Sequence, residues 1–281
     1  MFRHLIKNPS LWLIWAFSLL FSSCIEVQPP PPAPAIPTAQ TNPVLHIGID
    51  SNLATFESIL TEHINVQDPR PQILFVRNTK DELQEQVRTE QLDGMFVYQK
   101  PAALDFWTMP VALDSIAIIA HSDLTLDSLS RAELQQIFTR DQQNWQPFSG
   151  QNLPISLFVM GGKSEIQKQF NERVMENRPF DVSAVVPLNL NDMLQAVENT
   201  EGAIGFMPTS AIDTEMAVQI VPVDSLFPQF NTVRSQQYPL TIPIYLVALS
   251  EPKGELRQLA AWLQSAEGQL SLSAQFVQIG N

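Results

Sequence analysis

The segment 160–166, with the sequence MGGKSEI, carries the residue types of this chain that best suit the binding of a small ligand. Two consecutive glycines precede Lys163, Ser164 and Glu165, after an apolar run and before a segment with helical spacing. We therefore predict a turn that leads from a strand into a helix. The free backbone N–H groups at such a helix start can bind a small anion.

The same segment also has a purely structural explanation. Ser164 with Gln167 three residues later is the pattern of a capping box, in which side chain and backbone satisfy each other at the helix start. Glu165 would complement the helix dipole in that case, but its carboxylate would repel an anion bound at the same place. The sequence leaves both interpretations open.

Catalytic and metal-binding patterns cannot be assigned from spacing. Neither a Ser-His-Asp constellation, nor a paired-carboxylate motif, nor a phosphate loop is recognisable, so we do not expect an enzyme. His46, His63 and His121 lack the spacing of metal ligands, and we predict neither a metal nor another cofactor.

The elements that must position segment 160–166 alternate between strands and helices, which is typical of an α/β fold. Two helix starts are marked by capping-box patterns, Thr79 with Glu82 and Ser130 with Glu133. Apolar runs predict strands at 44–49, 73–76, 94–97, 115–120, 155–159, 203–207 and 218–221, and helical spacing predicts helices after 53, 79, 130 and 164 and over 191–197 and 254–264.

The N-terminus has the pattern of a signal peptide over residues 1–23. Arg3 and Lys7 precede an apolar run over 11–21, and Cys24 follows at a lipobox-like end. We predict lipidation of Cys24, with ordinary cleavage nearby as the alternative. Residues 24–43 are rich in proline and predict a semi-rigid tether that holds a domain off a membrane.

Charge narrows the possible partners. The formal net charge is −13, and removal of Arg3 and Lys7 with the signal leaves 14 basic against 29 acidic residues, or −15. Such a surface repels nucleic acid and anionic lipid, so we expect no nucleic-acid partner. A site for a small anion would have to be made locally.

Several segments together resemble a known family. They are SIAIIA (115–120), SRAELQQIF (130–138), NW (144–145), LPISLF (153–158), GAIGF (202–206) and YPLTIPIYLV (238–247). Their order and spacing are similar to those of the phosphate-binding, periplasmic-type substrate-binding lipoproteins of ABC transporters, over most of residues 44–281.

The resemblance implies an α/β, two-lobed fold of the periplasmic-binding-protein type 2, each lobe a mixed sheet flanked by helices, with a cleft between the lobes. Lobe 1 would contain residues 44–113 and 224–281, and lobe 2 residues 114–223. The chain then crosses between lobes twice, which makes a hinge. Expected partners are a small solute, with an oxyanion as one candidate, and an ABC permease at an extracytoplasmic membrane surface.

The resemblance also suggests ligand contacts, although two family features are missing. The family's arginine aligns with Met160, and its proton-accepting aspartate has no counterpart in 97–100. We expect a retained cleft with lost or altered phosphate specificity, or, alternatively, a non-transporting surface or sensory module with a degenerate site. The predicted ligand-binding residues are Ser51, Asn52, Leu53, Thr79, Tyr98, Gln99, Lys163, Ser164 and Glu165.

Overall fold

Eight β-strands and nine α-helices make up the part of the chain that the computed structural model describes, residues 44–67, 71–103, 105–212 and 217–279. The predicted signal peptide, the predicted lipidation at Cys24 and the tether lie outside these described residues. Among the helices of the described ranges, none is both long and apolar enough to cross a membrane.

The strands form a mixed sheet in the order β2-β1-β3-β8-β4-β6-β5, with β7 added on β4. β1 pairs in parallel with β2 and β3, and β5 with β6, whereas the pairings of β4 and β8 are antiparallel. The strands are β1 Leu45–Asp50, β2 Ile73–Asn78, β3 Gly94–Tyr98, β4 Trp107–His121, β5 Ser156–Leu157, β6 Ala203–Pro208, β7 Val218–Val221 and β8 Thr241–Ala248.

Strand β4 is shared by two groups of strands. Its residues 107–115 pair with β8, and its residues 116–121 pair with β6 and β7. The predicted strand 115–120 covers only the second part. Pro110, which lacks the N–H that a ladder needs, lies at a shift in register in the first part, and Asp114 interrupts the apolar pattern.

The helices flank this sheet and bury their apolar stripes, and the predicted ones are all present. Helix α1, for example, buries Phe56, Leu60 and Ile64 at helical spacing. The bounds are α1 Ala54–Asn65, α2 Lys80–Arg88, α3 Arg131–Phe138, α4 Gln146–Ser149, α5 Glu165–Arg173, α6 Leu190–Glu198, α7 Phe230–Arg234, α8 Gly254–Gln264 and α9 Ala266–Leu272, with a 3₁₀ turn at Thr209–Ala211.

An aromatic cluster fixes α3 and α5 against β6. The rings of Phe170 and Phe206 stack with centroids 4.0 Å apart, and Phe138 meets both edge-on. Trp145 is fully buried nearby in the fold, and its indole N–H donates to the Gly202 carbonyl at 2.8 Å. Trp145 therefore has a packing role.

The predicted capping box at Ser130 is confirmed. The backbone N–H of Glu133 donates to the Ser130 hydroxyl at 3.2 Å, and the backbone N–H of Ser130 donates to the Glu133 carboxylate at 2.7 Å. Two donors at the start of α3 are thereby satisfied, and the helix ends at Phe138 with Thr139 as its C-cap.

Candidate ligand-binding cleft

Four helices begin around one cavity of about 560 Å³. Its wall contains the loop before α1, the residue before α2, the turn before α5 and the segment before α6. A helix start has N–H groups without a partner inside the helix and carries the positive end of the helix dipole, so the arrangement suits polar or negatively charged groups. The lining residues are Asp50, Ser51, Asn52, Thr79, Met160, Gly161, Gly162, Lys163, Ser164, Val186, Pro187, Leu188, Asn189 and Leu190.

The structure brings five of the nine predicted residues onto this wall: Ser51, Asn52, Thr79, Lys163 and Ser164. They come from three segments that are far apart in the sequence. Whether they contact a ligand stays a prediction, but the fold does place them around one space.

The other four predicted residues, Leu53, Tyr98, Gln99 and Glu165, are engaged away from the wall. Leu53 is fully buried and its backbone N–H already donates to the Asp50 carbonyl at 2.8 Å. Gln99 donates its side-chain amide to Gln169 at 3.2 Å. A ligand would have to displace these contacts, and the roles of Leu53 and Gln99 in ligand binding stay predictions.

Tyr98 also belongs to a different group, a buried hydrogen-bond network at the middle of β4. Its hydroxyl donates to the Asp114 carboxylate at 2.8 Å, and the Ser210 hydroxyl donates to the same carboxylate at 2.6 Å. Burial raises the pKa of Asp114, while these hydrogen bonds oppose the rise, and burial together with the Asp114 charge raises the pKa of Tyr98 well above its usual value. Tyr98 is thus a neutral structural donor.

Glu165 forms a buried ion pair instead of facing the cavity. One of its carboxylate oxygens lies 3.3 Å from the Lys80 ammonium, and the two side chains are only 4% and 13% exposed. The other oxygen accepts a hydrogen bond from Gln169 at 3.1 Å. Lys80 is the first residue of α2 and Glu165 the first of α5, so the pair joins two helix starts.

The capping box predicted at Thr79 does not form, and neither does the one that was the structural interpretation of Ser164, although both residues are N-caps by position. The Ser164 hydroxyl accepts a hydrogen bond from the Asn52 amide at 3.1 Å, which links the turn before α5 to the loop before α1. The Thr79 hydroxyl donates to the Glu82 carboxylate at 2.7 Å. The Asn52 amide and the Glu82 carboxylate are thus the partners of these two hydroxyl groups, in place of the backbone N–H groups that a capping box uses.

Asp50 also lines the cavity, although it is not among the predicted ligand-binding residues. One of its oxygens accepts hydrogen bonds from the Asn52 backbone N–H at 2.9 Å and the Asn52 amide at 3.0 Å, so it caps the loop. Burial raises its pKa to about 6, the Asn52 hydrogen bonds oppose the rise, and the nearby Glu165 charge adds to it. Its position at the end of a buried strand was the available signal.

A family model for the PBP superfamily domain matches residues 73–267 of the chain. The chain belongs to the PBP superfamily. Protein SphX of Synechococcus elongatus is 24% identical to it over 184 residues, which cover 60% of this chain and 55% of SphX. The phosphate-binding protein PstS of Bacillus subtilis is 23% identical over 162 residues, 58% of this chain and 53% of PstS. The chain thus matches about half the length of these curated relatives.

The fold of this PBP-superfamily protein is also that of solved phosphate-binding structures. A crystal structure with bound phosphate from Clostridium perfringens, described as a phosphate ABC transporter substrate-binding protein, matches with a TM-score of 0.77 and 18% identity. The match covers 85% of this chain and all of that one. At this identity the likeness shows the fold, and the predicted two-lobed α/β architecture is confirmed.

Part of the cavity wall of this PBP-superfamily protein is apolar. Met160, Val186, Pro187, Leu188 and Leu190 line it, with Val186 53% and Leu188 94% exposed. The segment 186–190 has no periodicity that would have singled it out in the sequence. The wall therefore combines hydrogen-bonding groups with apolar side chains, as ligand sites for small organic molecules often do.

Proposed function

We propose that this protein is an extracytoplasmic solute-binding protein whose lobes close around a small solute and present it to an ABC permease. The observation that carries the proposal is the convergence of four helix starts on one cavity of about 560 Å³. Membership of the PBP superfamily and the names of the relatives, one of which is a phosphate-binding protein, support it. The proposed mechanism is binding and not turnover.

The proposed lobes are residues 44–113 with 224–281, and residues 114–223. The pairing of β8 with β3 and with the first part of β4 supports a return of the C-terminal segment to lobe 1. In this division the hydrogen bonds from Asn52 to Ser164 and from Gln99 to Gln169 join the two lobes. A solute that contacts residues of both lobes would bind the closed arrangement more tightly than the open one and would therefore favour closure.

The proposed solute is small and organic, with groups that accept or donate hydrogen bonds, and inorganic phosphate is expected to bind weakly. The names of the relatives favour a small oxyanion. On the cavity wall of this chain, however, Asp50 contributes a carboxyl group, and Lys163 is 79% exposed and lies 3.4 Å from Glu82. A desolvated dianion needs charge-assisted donors, preferably bidentate ones, and Met160 provides none.

Membrane attachment through a lipid on Cys24, followed by the proline-rich tether, completes the proposal. It would keep the binding domain close to a permease. Mass spectrometry of the protein purified from membranes tests this: a lipid-modified Cys24 at the N-terminus supports the anchor, and cleavage elsewhere without a lipid contradicts it.

Calorimetric titration of the purified protein with phosphate, sulfate and a library of metabolites tests solute binding. We expect at least one organic solute to bind with micromolar or tighter affinity, and small-angle scattering to show a smaller radius of gyration with that solute. A screen in which nothing binds and no solute compacts the protein would contradict the proposal. Micromolar binding of phosphate would contradict the weak-phosphate expectation alone.

A pull-down from membranes tests the partner. Recovery of permease subunits together with the protein supports the transport role. Recovery of a receptor or an envelope protein in their place would favour a sensory or surface module on the same scaffold.

A further inference from the structure

We propose that Glu165 determines the specificity of the cleft, because its carboxylate is a built-in counterion that keeps inorganic oxyanions out. The proposal rests on the proposed function, since it takes the cavity before α5 to be the solute site. Glu165 lies beside the wall, and its charge acts together with those of Lys80 and Asp50.

The ion pair of Lys80 and Glu165 lies beside the cavity wall. Lys80 directly follows the wall residue Thr79, and Glu165 directly follows the wall residue Ser164. Their charged groups are 3.3 Å apart and almost completely buried. The Lys80 ammonium would otherwise be a desolvated cation beside the start of two helices, which is the environment that attracts a small anion. Glu165 already supplies that anion.

Two carboxyl groups disfavour the entry of an oxyanion into the cavity. An entering oxyanion would lie against the Asp50 carboxyl group, which is only 2% exposed, and near the Glu165 carboxylate, which adjoins the wall at Ser164. Repulsion between like charges is much less screened in such a buried place than in water. An oxyanion could use Lys80 only after displacing Glu165, which would then keep only the more distant Lys168, 4.0 Å away. An uncharged solute has neither difficulty.

The negative charge of Glu165 can be removed without loss of the fold. Glu165 accepts a hydrogen bond from Gln169, and glutamine at 165 can still accept one. Lys168, the other nearby cation, lies 4.0 Å from Glu165 but only 2.8 Å from Asp81, and so keeps a partner. Glu165→Gln therefore leaves Lys80 without its ion-pair partner, with Asp50 as the remaining nearby carboxyl group.

Calorimetric titration with inorganic phosphate and with sulfate at pH 7.5 compares the full-length wild type with Glu165→Gln. Loss of one buried like charge and release of Lys80 should raise the affinity for both anions at least about tenfold. Lys80→Gln in the Glu165→Gln background should abolish the gain. The matched control is Glu172→Gln, which removes an exposed carboxylate from the same helix and should bind as the wild type does.

Circular dichroism first establishes that each variant is folded, and Glu165→Met, which keeps the length of the side chain without its charge, replaces Glu165→Gln if that variant does not fold. A folded, neutral variant that binds phosphate and sulfate no more tightly than the wild type would overturn the inference. A gain that survives Lys80→Gln, or an equal gain in Glu172→Gln, would overturn it as well.

The two proposals can fail separately. If the wild type binds and closes on an organic solute but the neutral variants gain no oxyanion affinity, the role of Glu165 is wrong and the solute-binding function stands. If the variants gain oxyanion affinity but the wild type binds no solute of the screen, the ion pair has the proposed effect and the proposed function fails.

Discussion

We expect the native protein to lose stability as the pH rises from about 4 to about 6. The substitution Asp50→Asn should remove this loss. Burial raises the pKa of Asp50 from its usual 3.8 to about 6. Between these values the folded protein holds a proton that the unfolded chain has released. The folded state therefore binds more protons in this range, and its stability must fall as the pH rises.

The size of the effect follows from the pKa difference. A shift of about two units corresponds to about 3 kcal/mol, at about 1.4 kcal/mol per unit. The loss is complete above pH 6, where the carboxylate is ionised in both states, and absent below pH 4. Asparagine has nearly the same shape and its oxygen can still accept the hydrogen bond from the Asn52 backbone, so the variant should keep the loop conformation.

Urea unfolding at pH 4, 5, 6 and 7, followed by tryptophan fluorescence, measures the difference in unfolding free energy between Asp50→Asn and the wild type. The difference should be small at pH 4 and should grow in favour of the variant to about 3 kcal/mol at pH 7. Asp114, whose pKa burial also raises, is present in both proteins and cancels in the comparison. A difference that does not change with pH would refute the reasoning, because Asp50 would then not titrate in this range.

Three further substitutions test the fold. Ser130→Ala removes the confirmed N-cap of α3 and should lower the unfolding free energy by about 1 kcal/mol in urea titration; no change would show that the cap is dispensable. Gly202→Ala should cost more than about 1 kcal/mol, since Gly202 has a φ of 75° and an added Cβ would lie 2.3 Å from the Pro154 oxygen; a wild-type melting temperature would contradict this contact. Tyr98→Phe removes a buried donor to Asp114 and should cost about 1–3 kcal/mol, and a neutral result in chemical unfolding would argue against that network.

Much of the fold could be predicted from the sequence because it depends on local periodicity. The helical spacing of the apolar residues in α1 and the capping-box pattern at Ser130 act within a few residues, and both appear in the structure as predicted. The length of β4 could not be predicted in this way. Its first part contains Pro110 and Asp114, and only pairing with β8, more than a hundred residues away, makes it a strand.

The candidate site was predictable in its positions and less so in its contacts. Helix starts can be recognised from local residues, which is why Thr79 and Ser164 were placed correctly at the starts of α2 and α5. The partners of their side chains depend on which loops the fold brings together. Asn52 and Ser164 are 112 residues apart. Lys80 and Glu165 are also far apart in the sequence. No local sequence pattern therefore predicts either contact.

The most direct test of the central claim is a crystal structure of the protein with the tightest-binding solute of the screen. The account predicts that the solute lies in the cavity of about 560 Å³ and contacts the loop at Ser51 and Asn52 and the turn at Ser164. A solute that lies elsewhere, for example in the separate cavity beside Glu90 and Lys253, with the predicted cavity unchanged, would contradict it.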